Sequence, residues 1–158
     1  MSTRTVALTV NGEAVTATIP VRKNLVDFLR EDLGLTGSHV GCEHGVCGAC
    51  TFEVDGVMVR GCLMLAAQAD GAVVTTVEGF ADSGRSDALR TAFADRNALQ
   101  CGYCTPGMLA SALEYVEAGG SADRTAIREH LSGNYCRCTG YQAIVDAICD
   151  VIGGGDKA

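Results

Sequence analysis

Nine cysteines constrain this chain of 158 residues more than any other feature. Eight form two sets of four. Cys42, Cys47 and Cys50 are spaced C-x4-C-x2-C, with Cys62 following after eleven intervening residues; Cys101 and Cys104 make C-x2-C and, 31 intervening residues later, Cys136 and Cys138 make C-x-C. The ninth, Cys149, sits within an apolar helical pattern and reads as a small buried hydrophobe. The N-terminus, MSTRTVALTVNGE, reaches an Asn-Gly turn by position 11 without an apolar h-region or a small-residue cleavage site, so the expected location is cytoplasmic. Thiols there are kept reduced, which makes metal a better account of eight cysteines than disulfides.

Hydrophobic residues at 47%, charged residues at 20% and only two prolines point to a globular chain. Its length suits two small domains but not a large organic cofactor with a substrate pocket as well. A net charge of -7 with no run of Lys and Arg argues against a nucleic-acid partner. The longest apolar runs, Cys62 to Ala67 and the Asp-interrupted Ala143 to Ile152, fall short of the roughly 18 to 20 residues that cross a bilayer, so no membrane span is expected.

Val6, Leu8 and Val10 alternate with polar or small neighbours, Asn11-Gly12 supplies a turn, and Val15 to Ile19 returns as the second arm of a hairpin. Leu25, Val26, Phe28, Leu29 and Leu33 then predict a short helix that Gly34 ends. After a loop from Gly37 to Cys50, Asp55-Gly56 joins a second hairpin of Thr51 to Val54 and Val57 to Arg60, and Ala72 to Thr76 predicts a last strand. The polar stretch Gly79 to Ser86 is the expected linker, and helices are expected near 86–97, 106–118, 122–132 and 141–152. The class is α+β, with a β-rich unit over 1–79 and a helical unit over 80–158.

The first three cysteines match the plant-type ferredoxin loop, in which thiolates hold a [2Fe-2S] cluster. Gly41, Gly45 and Gly48 fit such a loop, since positive φ angles turn backbone N–H groups toward the sulfurs. Four-cysteine zinc is the alternative, but zinc ribbons usually carry two CxxC-like knuckles, not a glycine-interleaved triplet. In the second set Cys104 precedes Thr105-Pro106 and Cys138 precedes Thr139-Gly140, so each pair is expected just before a helix with threonine as N-cap. Two helix N-termini would favour an anionic centre, yet a four-thiolate zinc site and an oxidised cluster carry about the same charge of -2. Zinc stays open for that set. His44 is a loop residue, because four cysteines already complete each site; Gly153 to Gly155 is a flexible tail. No catalytic triad or paired carboxylates stand out, so substrate chemistry belongs to a partner.

Three segments, GCEHGVCGACTFEVDG at 41–56, QCGYCTPGM at 100–108 and GNYCRCTGY at 133–141, resemble the iron–sulfur subunits of the xanthine oxidase family of molybdenum hydroxylases, in the same order over nearly the whole chain. The resemblance implies a β-grasp, plant-type ferredoxin-like domain followed by a four-helix [2Fe-2S]-binding domain. It implies an enzyme subunit without a substrate site, relaying electrons from a large molybdopterin-binding subunit, with the cofactor in its cytosine dinucleotide form, to a medium FAD-binding subunit. A dimer of heterotrimers is the implied assembly. Cys101, Cys104, Cys136 and Cys138 would hold the cluster beside the pterin, Cys42, Cys47, Cys50 and Cys62 the cluster facing the flavin, and Gln100 and Cys138 would contact the pterin. The competing roles are a diffusible ferredoxin and a zinc-stabilised interaction module.

Overall fold

The computed structural model describes residues 2–153, so the glycine tail expected at 153–155 lies outside it after Gly153. Strands β1 (Thr3–Val10) and β2 (Glu13–Pro20) form the first hairpin in a register from Thr3 opposite Pro20 to Val10 opposite Glu13. Asn11 and Gly12 turn it with φ of 51° and 86°, the left-handed pair that matches the twist of a two-residue hairpin. Strands β3 (Thr51–Val54) and β4 (Val57–Arg60) repeat the device at Asp55-Gly56. Strand β5 (Val73–Thr75) enters between the hairpins, parallel to β1 and antiparallel to β3, giving the order β2-β1-β5-β3-β4.

One face of that sheet is covered by a helical segment that starts as α1 (Leu25–Asp27), capped by the Asn24 side chain accepting from the Asp27 amide at 2.8 Å. Its second half, Phe28–Asp32, widens into a π-type turn that closes with Leu33 N–H donating to Phe28 O, not the regular helix expected up to Gly34. Consecutive Phe28 and Leu29 both lie buried there, while Arg30 reaches out to the carbonyls of Thr36 at 2.7 Å and Ser38 at 2.5 Å. These residues and Val6, Leu8, Val10, Ile19, Phe52 and Val74 make the first core.

Helices α3 (Asp87–Asp95), α4 (Thr105–Glu117), α5 (Arg124–His130) and α6 (Gln142–Ile152) are the four expected, packed round Leu89, Phe93, Met108, Leu113, Ile127 and Ile144. A further helix, α2 (Val77–Asp82), occupies half of the stretch predicted as a linker. Phe80 is the reason: this one aromatic in a polar segment is 1% exposed in the helical core, under the Arg85 guanidinium at 5.1 Å. Arg85 also forks onto Glu53 of β3 and Glu117 of α4, so it ties the sheet to the helices. No helix among the described residues is long and apolar enough to cross a membrane.

Candidate metal centres

The loop before β3 is wound tightly. Glu43, Gly45 and Gly48 adopt φ of 60°, 82° and 75°, and a Cβ on Gly41 would lie 3.0 Å from Cys47 Sγ. That winding aims amide groups at sulfur: Cys47 N–H donates to Cys42 Sγ at 3.4 Å, and the amides of Cys47, His44 and Val46 bring the Cys42 thiol down to about 6. Cys62 comes in from the loop after β4. Burial first, then contact with the Cys50 thiol and the charges of Cys50 and Cys42, push it up to about 11. His44 donates from Nδ1 to its neighbour Cys42 O and is taken up with backbone, in keeping with a loop role.

The second set forms where the segments before α4 and α6 meet. Cys138 Sγ lies 3.5 Å from Cys101 Sγ at the surface. Cys104 and Cys136 form the less exposed pair. Burial first, then contact with Cys136 and the charges of Cys136 and Cys101, raise Cys104 to about 12. Burial is also the largest single influence on Cys136 and opposes ionisation, but donors from the Thr139 hydroxyl and amide and from the Cys138 amide outweigh it and lower that thiol.

Cys101 and Cys138 are in sulfur contact, and the strongest thiol-to-thiol influences otherwise run between Cys42 and Cys47, Cys50 and Cys62, and Cys104 and Cys136. Among the described residues no group of three or more His, Cys, Asp or Glu side chains is arranged to hold a single metal ion. Tetrahedral zinc needs four donors converging on one point. A [2Fe-2S] cluster takes two thiolates on each of two irons, and the paired donors fit that group.

Neither expected threonine cap is used. Cys104 itself occupies the N-cap of α4 and Thr105 is already helical, while the N-cap of α6 is Tyr141, not Thr139. Thr139 turns back instead, its hydroxyl donating to Cys136 Sγ at 3.1 Å. Gln100, read from the sequence as a pterin contact together with Cys138, is exposed and donates from Nε2 to Cys138 O at 3.0 Å. Cys149, on α6, stands apart from both sets with its Sγ 3.5 Å from Ala122 O, and is only partly buried, not the buried side chain expected.

Sequence reading missed the residues that join the two sets. Asn134, 2% exposed, donates to Gly48 O at 3.3 Å and Gly107 O at 3.1 Å and accepts from Ser111 Oγ at 2.9 Å. Arg60 donates to Gly133 O at 2.8 Å and to Thr51 Oγ1, whose hydroxyl bonds Gly48 O at 2.6 Å. Tyr135 N–H donates to Cys47 O at 2.8 Å. His39 stacks on Tyr103 with ring centroids 4.6 Å apart, and Tyr103 OH donates to Val40 O. No local signal marks these residues, because each acts on a partner far along the chain. In metal-free protein near pH 7, Cys42 is expected to be the thiolate that iodoacetamide alkylates first, with Cys62 and Cys104 labelled last. Peptide mass spectrometry over time reads this order, and early labelling of Cys104 would refute it.

The chain matches two domain families in succession: "2Fe-2S iron-sulfur cluster binding domain" over residues 8–75 and "[2Fe-2S] binding domain" over residues 76–149. Caffeine dehydrogenase subunit gamma of Pseudomonas sp. (strain CBB1) is 52% identical over 96% of this chain and 92% of that protein. Nicotine 6-hydroxylase small subunit of Paenarthrobacter nicotinovorans is 53% identical over 91% of this chain and 87% of that protein. A chain of the crystal structure of quinoline 2-oxidoreductase from Pseudomonas putida 86 superposes with a TM-score of 0.88 at 44% identity, covering 96% of this chain and 94% of the other. The paired thiols, the two successive domains and relatives matched almost end to end place this chain in the family of small iron–sulfur subunits of molybdenum hydroxylases.

Proposed function

We propose that this chain is the electron-transfer subunit of a multi-subunit molybdenum hydroxylase, passing single electrons from a molybdopterin-bearing subunit to an FAD-bearing one. The reading is supported by the match to two successive [2Fe-2S] binding domains, together with the Cys101–Cys138 sulfur contact and the two-and-two influences among the other thiols. Cys42, Cys47, Cys50 and Cys62 hold one [2Fe-2S] cluster, and Cys101, Cys104, Cys136 and Cys138 hold the other. Each cluster, when bound, supplies a one-electron couple. The chain's own part is to hold both sites in fixed relation. Cys47 O accepts from Tyr135 N–H, and Tyr135 is bonded to Cys136, so one hydrogen bond and one residue of backbone link a ligand of each set.

We divide the protein functionally at residue 79, with 1–79 facing the flavin and 80–158 facing the pterin. The division is supported by the two separate cores, the first ending at Val74 and the second starting at Phe80. Gln100 and Cys138 contact the pterin, which is in its cytosine dinucleotide form. Their exposure and mutual hydrogen bond support that role. Exposed Leu99, Tyr103 and Tyr135 flank the second set along the chain, and exposed Val46, Leu63 and Leu65 flank the first, leaving apolar surface at each end for a partner. The assembly is a cytoplasmic dimer of heterotrimers. A diffusible ferredoxin is the weaker reading, since relatives matched over nearly their full length are named as subunits.

Visible and EPR spectra of the purified protein, before and after dithionite, with iron and zinc quantified, test the assignment. The expected result is two distinct S = 1/2 signals and about four irons per chain. A colourless, EPR-silent protein with stoichiometric zinc would overturn it.

A further inference from the structure

We propose that Thr139 sets the redox potential of the second cluster, by donating its hydroxyl proton to Cys136 Sγ. The inference rests on the assignment of Cys136 as a cluster ligand and goes beyond it, because Thr139 binds no metal and acts through Cys136.

The hydroxyl oxygen lies 3.1 Å from Cys136 Sγ and the Thr139 amide nitrogen 3.5 Å, so one residue delivers two donors to one sulfur. A hydroxyl has a single proton, and its direction here is decided by a third contact. Tyr141 N–H donates to Thr139 Oγ1 at 3.1 Å, which occupies the oxygen as acceptor and leaves its proton for the sulfur.

That contact depends on an unusual backbone. Gly140 and Tyr141 are consecutive left-handed residues, with φ of 66° and 68°. Glycine takes this conformation freely, but tyrosine does not, so surrounding contacts must hold it. They do so at the far end of the side chain: Tyr141 OH accepts from Cys136 N–H at 2.8 Å and donates to Asn134 O at 3.1 Å. Tyr141 therefore grips Cys136 with its hydroxyl and orients Thr139 with its amide. Among the described residues, no other side-chain hydroxyl is hydrogen-bonded to a cysteine sulfur.

Hydrogen bonds to cluster sulfurs favour the reduced state, whose extra negative charge makes the sulfur a stronger acceptor. Removing the Thr139 hydroxyl should therefore make the second cluster harder to reduce and leave the first alone. The test is an EPR-monitored redox titration of the purified full-length protein as wild type, Thr139→Val and Thr139→Ser. The signal of the second set is identified by its loss in Cys104→Ala. Valine keeps the shape of threonine without its donor, and serine keeps the donor. Thr139→Val is expected to weaken reduction of the second cluster about tenfold, a shift of about -59 mV for a one-electron couple, while Thr139→Ser stays near wild type. The first cluster keeps its midpoint. An unchanged midpoint in Thr139→Val, an equal fall in Thr139→Ser, or a parallel shift of both clusters would overturn the inference with the cluster assignment intact. Absence of a second signal from wild type would sink the assignment itself, and this inference with it.

Discussion

Replacing Gly107 with alanine is expected to cost about 3 kcal/mol of stability, seen as a lower urea midpoint. A Cβ at this position would lie 2.0 Å from Gly48 O and 3.1 Å from Ala49 Cα, backbone atoms of the loop that carries Cys47 and Cys50. Neither side can yield by rotating a side chain. Gly107 lies within α4, and Gly48, at φ 75°, is hemmed in by Asn134, whose amide a Cβ there would meet at 2.6 Å. Relief requires the helix and the loop to part, which breaks the Asn134 bonds to Gly48 O and Gly107 O. The Tyr135 amide, bonded to Cys47 O, then loses its partner and should exchange its hydrogen faster. A wild-type midpoint with full protection at Tyr135 would contradict the close approach.

Cys104→Ala is expected to abolish one of two EPR signals and about half the iron, about two of four atoms per chain, and to leave the other signal in place. Cys104 is partly buried beside Cys136, and alanine there carries no ligand atom, so the second set is left one donor short. The first set draws its own donors from the loop around Cys42 and Cys47 and needs nothing from Cys104. Loss of both signals together, with the fold intact by circular dichroism, would mean that the two sets are not independent sites.

Much of this was legible because it is encoded over short distances. Asn11-Gly12 and Asp55-Gly56 each announce a hairpin from two residues, and both hairpins form around those turns. The Cys42–Cys47–Cys50, Cys101–Cys104 and Cys136–Cys138 spacings are likewise local, whereas the approach of Cys138 to Cys101 depends on the fold. The position of β5 was not legible, because alternation says that a strand exists and nothing of which strands flank it. α2 was hidden in a polar stretch where a single Phe80 supplies the buried anchor. Thr105 and Thr139 carry a good capping signal that lost to local geometry, since Thr105 is already helical and Thr139 turns its hydroxyl back to Cys136 Sγ three residues earlier while accepting from the Tyr141 amide. Asn134 is the clearest gap: its contact with Gly48 spans 86 positions, and only the fold brings them together.

The central place of β5 has a consequence for how the protein is made. The hairpin of β1 and β2 and that of β3 and β4 can each form from neighbouring residues as the chain leaves the ribosome. They cannot join, because the strand between them ends at Thr75 and is synthesised after both. Until then each hairpin shows an unpaired edge. Once residue 75 emerges, the sheet closes beside a first set whose four cysteines are already present, three in the loop before β3 and Cys62 after β4, while Cys101 and its partners are still to come. The first site can therefore mature on a folded support before the second exists, and the helical half arrives to find in Gly48 and Cys47 O a finished surface on which to dock.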